Sequence, residues 1–506
     1  MILVVLLAVV LTAAPPLDAQ VRATAFHEYQ LGNLPDAQPA DLRALYQQVN
    51  LGFESAGFLA SARSEAFRSS GGDRDYLHLA QRSLSWRRGG LEATAGHFYA
   101  LVGRGVLLHA FELPGVITED RVSRRRYQIV RDLDGARVSG RWRQVEVLAL
   151  HGVPVNSELA PGLKGLDRRQ GRVSGGAVRA RVSDDIEVGA GLIEFSFGGE
   201  EELGATTHGE LRFGSLLERL GLGGWYGDLY GEYARIDPGI RLSLERDRPR
   251  ALYLAGTLTG GTWGLSLELK DYQDFAFPSL NNPPTLIREH EAFLLNRETH
   301  ALLADDEAGA QAELTWALPR DIGLTAAWNL ATRRGSDPGD EKSLREYFLQ
   351  LDSPVGEALH GQLFLDYTRN RILENERRLT AGTRWDWSAG GRHAASADLQ
   401  VQDVDRRFGR SDFPYENLLG TVELSRYPAW TWSLQLQRSN DPLEAGASES
   451  GATYWWALGV SWRFRDAHTL DVFGGRRRAG LACTGGSCYE VLGFEGIELR
   501  LTSEVL

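Results

Sequence analysis

The sequence predicts an all-β fold, namely a large antiparallel transmembrane β-barrel of about 22 strands, within a range of roughly 18 to 24. Three observations lead to this prediction. Apolar residues recur at every second position in many short segments. The connections alternate between short turns and long charged loops, and Trp or Tyr stands at many segment ends. Short periplasmic turns and long extracellular loops are therefore expected.

The clearest unit is the stretch from Ala251 to Asp271. Its second half alternates between two sets of residues: Trp263, Leu265, Leu267 and Leu269 against Gly264, Ser266, Glu268 and Lys270. A period of two places the sets on opposite faces of a strand, and the Gly260-Gly261 pair predicts a hairpin turn. Because unpaired charges are costly to bury, one face requires water and the other lipid.

Composition excludes several other classes of protein. The chain has 506 residues, 57 of them Gly, and a mean hydropathy of −0.27. After the N-terminus no uninterrupted apolar run reaches the length of about 18 residues that a membrane-spanning helix needs. The net charge of −12 argues against a nucleic-acid partner. A soluble propeller or solenoid is the alternative β fold, but no fixed repeat period supports it.

The N-terminal residues predict export. An apolar run from Ile2 to Ala14 precedes a Pro pair and a small residue, so residues 1–19 are interpreted as a signal peptide cut after Ala19. Residues 20–44 lack a period of two and are expected to form a short periplasmic lead. Residues 45–506 are then the barrel.

Paired segments follow one another from Val49 onward. A register slip near Gln81 indicates a bulge. Between Tyr99 and Arg131 the alternation is lost, so this segment is either a wall strand with a loop or a segment folded into the lumen. The alternation returns at Gly135 and continues to the last strand. Long loops are expected at residues 151–171, 198–208, 235–250, 272–307, 331–345, 368–378, 403–416 and 439–451.

The polar faces of these strands supply candidate pore-lining residues of both charge signs. The candidates are Arg137, Arg141, Arg179, Arg181, Asp228, Glu232, Glu268, Lys270, Glu313, Arg384, Asp386 and Asp398. Opposed acidic and basic walls would order water and filter dipolar solutes. Alternatively, the charges pair across strands and only satisfy a wet interior, a reading that residue by residue has more support.

Two further features have local interpretations. In the loop 272–307, His290 and His300 lie near several Glu residues, but a spacing of ten residues matches no known ligand pattern, so solvated loop residues are favoured and no metal site is expected. Cys483 and Cys488 are separated by four residues in an exported chain, which predicts a disulfide; a two-thiolate metal clip is the weaker alternative.

Several stretches resemble an uncharacterised, porin-like family of bacterial outer-membrane β-barrels that is known only as a domain of unknown function. They are LYQQVNL from Leu45, the block from Ala80 to Tyr99, GRGVLLHAFE from Gly103, RDLDGARV from Arg131, and the region from Asn281 to Arg297. The resemblance implies the fold and an outer-membrane location. It implies no catalytic residues.

The predicted function is a passive channel or porin for small polar solutes in the outer membrane of a diderm bacterium. The alternative is a non-conducting barrel that serves as a scaffold or accessory in secretion or envelope assembly. An enzyme is not expected, because no catalytic motif is present and nothing brings Ser266 and His360 together. A monomer without a cofactor is expected. Its partners would be outer-membrane lipid, the barrel-assembly machinery and small polar solutes.

Overall fold

A computed structural model shows a closed antiparallel barrel of 24 strands. It describes residues 19–33, 42–120, 122–156, 159–221, 223–239, 248–275, 289–297, 306–333, 343–408, 411–445, 451–484 and 487–504. The strands are β1 (Gln20–Asn33), β2 (Leu42–Ser55), β3 (Phe58–Ser69), β4 (Tyr76–Arg88), β5 (Leu91–Phe98), β6 (Leu101–Val102), β7 (Leu108–His109), β8 (Phe111–Glu119), β9 (Arg126–Arg131), β10 (Leu133–Trp142), β11 (Val145–Pro154), β12 (Arg172–Arg181), β13 (Ile186–Phe197), β14 (Glu200–Arg212), β15 (Trp225–Pro238), β16 (Arg250–Gly260), β17 (Trp263–Gln273), β18 (Glu307–Leu318), β19 (Ile322–Arg333), β20 (Ser343–Pro354), β21 (Leu359–Asn370), β22 (Asn375–Ala389), β23 (His393–Phe408), β24 (Ser411–Arg426), β25 (Trp430–Ser439), β26 (Thr453–Phe464), β27 (His468–Arg477), β28 (Gly480–Thr484), β29 (Ser487–Val491) and β30 (Phe494–Glu504).

The wall contains every strand except β6, β7, β8, β9, β28 and β29, which form three small two-stranded sheets. Each wall strand pairs with its sequence neighbour in the wall, and β1 pairs with β30 to close the ring. The strand number lies within the expected range. The predicted fold class is confirmed.

The two ends of the barrel differ. On the turn side, connections hold two to four residues, apart from residues 213–224, which include the short helix α1 (Gly214–Arg219). The loop side carries the longer insertions, among them helix α2 (Phe293–Asn296), a 3₁₀ turn (Arg371–Leu373) and helix α3 (Pro442–Ala445). Strand β1 begins and β30 ends on the turn side.

Side chains alternate between an outer and a lumenal face as the sequence predicts. On β17, the outward Leu267 and Leu269 are 48% and 50% exposed, whereas the lumenal Lys270 is buried. The hairpin of β16 and β17 turns at Gly261, whose φ of +59° is open to glycine at little cost. Outward tryptophans gather at the turn-side ends, where Trp430 stacks on Trp462 with ring centroids 5.0 Å apart.

Two wall strands were not expected. Residues 20–33 form β1 and not part of a lead, so the barrel begins at Gln20 and not at residue 45. On β1 the apolar Phe26 faces the lumen and the polar His27 faces outward, which is the reverse of the alternation seen on other strands. Residues 200–212 form β14, although residues 198–208 were expected to be a loop. Its outward positions include Ala205 and Gly209, which give little hydrophobic signal.

The expected loop at residues 403–416 is also wrong. Strands β23 and β24 continue almost to their shared hairpin tip. Ion pairs support this charged extension, because Arg377 lies 2.6 Å from Asp403 and Arg407 lies 2.7 Å from Asp412. The predicted bulge near Gln81 is found one residue earlier, since Ala80 has no partner in the register of β3 and β4.

The predicted signal peptide falls almost wholly on residues 1–18, outside the described residues, and stays a prediction. Among the described residues, no helix combines the length and the apolar character needed to cross a bilayer.

Candidate functional site

The lumen is filled in one half and open in the other. Along β15 the lumenal side chains change from Tyr226, which is 68% exposed near the turn side, to Tyr230 and Glu232, which are 4% and 1% exposed. Along β21 the lumenal His360 is exposed, whereas Asp366 is fully buried. We call these regions the turn-side half and the loop-side half of the lumen. Inward-folded segments fill the loop-side half.

The first of these segments is residues 99–131, here called the plug. Strands β5 and β10 pair directly with each other in the wall, so the residues between them are excluded from it. The plug contains the β6–β7 hairpin and the β8–β9 sheet. It contacts β1 through Arg126 and β15 through Arg104, on opposite parts of the wall. Only a segment inside the barrel reaches both, which decides between the two alternatives that the sequence left open.

The β6–β7 hairpin has an apolar core with the wall. Val106, Leu107 and Leu108 are fully buried. Their cluster includes wall residues from β12 to β17, such as Val173, Ile193, Phe195, Ala234, Ile236, Ala251 and Tyr272. This part of the lumen is therefore packed like a protein interior and holds the plug against the wall.

The tip of the β6–β7 hairpin is bound by Glu232. The backbone N–H of Arg104 donates to the Glu232 carboxylate at 2.8 Å, and the Tyr230 hydroxyl donates to it at 2.8 Å. Thr206 donates a third hydrogen bond at 3.2 Å. The Arg104 guanidinium lies 4.2 Å from the centre of the Tyr230 ring. Gly103 allows this seat, because its φ is +60° and a Cβ there would come within 2.6 Å of the carboxylate.

The other end of the plug is bound to the seam where the barrel closes. Arg126 on β9 lies 2.8 Å from Glu28 on β1. Arg500 on β30 lies 2.7 Å from Glu28 and 2.9 Å from Glu498. Burial lowers the pKa of Arg126, but the carboxylates of Glu28 and Glu119 outweigh it, so its pKa lies above the ordinary value. The plug thus adds a second cation to Glu28, which already joins the two closing strands through Arg500.

A second inward segment, residues 289–297, covers another part of the wall. Leu295 of α2 packs with Ala327, Phe348 and Phe364. The backbone N–H of Leu294 donates to the Gln400 side chain at 3.0 Å. This segment therefore lies against β19 to β23 on the lumenal face.

His290 in this segment is buried, so its interpretation as a solvated loop residue is wrong. It lies 3.0 Å from Glu346. His290, Glu346 and Asp366 have ligand atoms within 4.8 Å of one another, as a metal site requires. However, the Arg378 guanidinium lies 3.2 Å from Asp366 and 3.6 Å from Glu346, so a protein cation already pairs with both carboxylates. We interpret the group as an ion-pair network. His300 lies outside the described residues.

A third segment is the hairpin of β28 and β29, here called the cysteine hairpin. It contacts β8 of the plug on one side and α2 on the other. Cys483 and Cys488 are direct partners in its backbone register. The disulfide itself stays a prediction.

All twelve candidate pore-lining residues lie on the lumenal face. Most belong to the turn-side half and pair with neighbours: Arg179 lies 3.2 Å from Glu187, and Arg384 lies 3.1 Å from Asp386. Glu232 and Lys270 differ, because both are buried in the loop-side half. The sequence reasoning missed Glu28, Arg126, Arg104 and Glu498, since no local pattern indicates contacts between distant segments.

A cavity of about 760 Å³ lies beside the plug hairpin in the turn-side half. It is lined by the hairpin residues Leu101 to Arg104 and by charged wall residues that include Arg137, Arg141, Arg179, Glu146, Glu187 and Glu210. Charged residues of both signs line this space beside apolar ones, which suits water and small polar solutes. Ser266 and His360, considered above for catalysis, lie on β17 and β21, well separated in the wall.

Several solved structures have a similar architecture. The P pilus usher (PapC) translocation pore gives a TM-score of 0.46 at 10% identity, over 96% of this chain and 100% of that chain. Pseudomonas aeruginosa OpdL gives 0.41 at 13% identity, over 76% and 99%. OccD1 (OprD) gives 0.40 at 11% identity, over 70% and 90%.

No curated protein matches the sequence. The model of a family of unknown function, DUF6029, matches residues 49–333. The match includes most of the stretches on which the resemblance to an uncharacterised barrel family was based. Because it spans more than half of the 506 residues, the chain belongs to the DUF6029 family.

Proposed function

We propose that the protein is an outer-membrane β-barrel that acts as a passive channel for small polar solutes. The observation that carries this proposal is a closed wall of 24 strands with an apolar outer face and a charged lumenal face. Such a wall is stable where lipid lies outside and water lies inside. A soluble protein would have no lipid to cover such an outer face, so it would not need this arrangement.

The outer face supports the membrane location. Large apolar side chains are exposed on successive strands, among them Leu267, Leu269, Leu349, Leu363 and Leu399. Exposed apolar surface on this scale indicates a lipid or protein interface. The paired tryptophans Trp225 and Trp263, with centroids 4.6 Å apart, stand at the turn-side boundary of this belt, where aromatic residues favour the membrane interface.

The lumen supports the solute class. Charges of both signs face the turn-side half, and most are paired with a neighbour. A mixed wall of this kind attracts water and polar molecules and excludes apolar ones. The filled loop-side half narrows the route, so we expect small solutes and low conductance.

A second candidate is a non-conducting barrel that serves as a scaffold or accessory in secretion or envelope assembly. The packed contact of Leu107 and its neighbours with the wall favours it, because a plug with an apolar core does not leave readily. Proteins that assemble on such a barrel would then be partners. Under either proposal the chain is a monomer that the barrel-assembly machinery inserts into lipid.

Planar-bilayer recording separates the two candidates. Purified protein should give discrete conductance steps if it is a channel and no steps if it is a scaffold. The membrane location is tested separately, by recovery of the native chain in the detergent-insoluble outer-membrane fraction. Recovery in the periplasmic fraction without detergent would contradict both candidates.

A further inference from the structure

Inside the loop-side half of the lumen, the plug, residues 289–297 and the cysteine hairpin meet along a border. The plug covers the wall from β30 and β1 round to β17. Residues 289–297 cover β19 to β23. The cysteine hairpin contacts both the plug and residues 289–297. A solute that crosses the described part of the loop-side half therefore passes along this border.

Three arginines meet at the border. Arg297 follows α2, Arg477 ends β27, and Arg478 is the next residue. Aromatic rings fix them: the guanidinium of Arg297 lies 4.9 Å from the Phe293 ring, and that of Arg478 lies 5.1 Å from the Trp455 ring. Arg297 also lies against the cysteine hairpin, where a Cβ at Gly480 would come 3.3 Å from its Nη1 atom. The positions of these charges are therefore determined by packing.

Positive charge exceeds negative charge in this group. Arg477 donates to Glu498 at 3.3 Å, and Arg478 donates to Glu444 at 3.0 Å. Glu498 is already bound by Arg500, so it is shared. The Nη1 atom of Arg297 is buried and has no hydrogen-bond partner among the residues that the structure describes. A buried donor without a partner is costly unless a ligand satisfies it.

The titration behaviour of Arg297 agrees with this geometry. Burial, followed by the charges of Arg477 and Arg478, lowers its pKa to about 10. The group is still a cation at neutral pH. A small anion next to it would supply both the missing acceptor and the missing negative charge.

We propose that Arg297, Arg477 and Arg478 form an anion-binding constriction that makes the channel selective for small oxyanions and chloride over cations. This inference rests on the proposed channel function. The ligand class is a small anion that accepts hydrogen bonds, such as a carboxylate or inorganic phosphate. Arg297 supplies the free hydrogen-bond donor, and the other two arginines supply positive electrostatic potential at the site.

The test measures the reversal potential of single channels in a potassium chloride gradient. The native protein should favour chloride over potassium, and Arg297→Gln should lower the permeability ratio about fivefold, which corresponds to about 1 kcal/mol. Arg297→Lys retains the charge and should retain most of the selectivity. Arg407→Gln removes an equal charge from an exposed hairpin tip and should leave the ratio unchanged.

Two results would overturn the inference without affecting the channel: a native protein that conducts without preferring chloride, or an Arg297→Gln variant with native selectivity. A second readout applies even if the native protein does not conduct. Inorganic phosphate should raise the unfolding temperature of the detergent-solubilised native protein and not that of Arg297→Gln. If the native protein does not conduct, the proposed channel function is wrong. If phosphate also fails to raise the unfolding temperature of the native protein, the proposed anion site is wrong as well.

Discussion

The guanidinium of Arg126 lies 2.8 Å from the carboxylate of Glu28, so the plug is bound to the first strand of the wall. The same carboxylate lies 2.7 Å from Arg500 on the last strand. One buried acid therefore joins three parts of the chain that are far apart in sequence. The plug contributes directly to the closing seam of the barrel.

Arg126→Met should weaken this seam. The substitution leaves Glu28 buried with only Arg500 beside it, and losing one partner of a buried ion pair costs about 3 kcal/mol. The measurement is the temperature at which the compact, fast-migrating form converts to the unfolded form on a detergent gel. Adding Glu28→Gln should recover part of the loss, because it removes the unpaired charge. Native melting of Arg126→Met would show that the seam does not depend on the plug.

Gly103→Ala should dislodge the plug tip. Gly103 and Gly89 have the same φ of +60°, so both substitutions carry the backbone cost of about 1–2 kcal/mol. Only at Gly103 would the new Cβ meet the Glu232 carboxylate, whereas nothing lies within 4 Å at Gly89. Gly103→Ala should therefore open the plug to added protease and Gly89→Ala should not. Equal protection of the two variants would mean that the tip is not seated on Glu232.

Leu107→Ala should lower the free energy of unfolding by about 2–5 kcal/mol, because it leaves a cavity between the hairpin and the wall. The control is Leu101→Ala in the same hairpin, where the side chain is 52% exposed. Chemical denaturation of refolded protein in detergent micelles measures both. Similar losses in the two variants would contradict a packed plug.

The orientation of the wall is tested at two adjacent residues of β17. Leu267 faces outward and Ser266 faces the lumen. Leu267→Arg places a charge in lipid and should cost about 2–4 kcal/mol, whereas Ser266→Arg should be tolerated. The readout is the amount of folded protein in the outer-membrane fraction. The reverse ranking would invert the assigned faces.

The predicted disulfide is tested with a thiol-alkylating reagent. Cys483 and Cys488 face each other in the backbone register of the cysteine hairpin. Mass spectrometry of protein purified without reductant should find neither residue alkylated, and both should react after reduction. Labelling before reduction would contradict the disulfide.

Local sequence predicted the wall where each face had a consistent chemistry. On β17 the outward leucines and lumenal charges made the strand and its orientation evident. Strand β1 was missed because Phe26 and His27 exchange the usual sides, and β14 was missed because glycine, alanine and threonine dominate its outer face. The outward signal is strong only where the side chains are large and apolar.

The plug could not be predicted in the same way. Its tip is held by Glu232, which is 128 residues from Arg104, and its other end is held by Glu28 on β1. These contacts depend on which strands face each other across the lumen, and alternation within one strand carries no such information. The same limit applies to His290, whose burial depends on Glu346 and Phe348 in another part of the chain.

Strand β1 begins and its neighbour β30 ends at the same rim, where Thr24 is the partner of Glu504. A short peptide joining Glu504 to Gln20 would link the two closing strands at this rim. A circularly permuted gene, opened at the exposed Gly89-Gly90 turn, should therefore encode the same ring of strands. In such a protein the covalent chain would run through the seam, and the contribution of Arg126 to its closure would become dispensable.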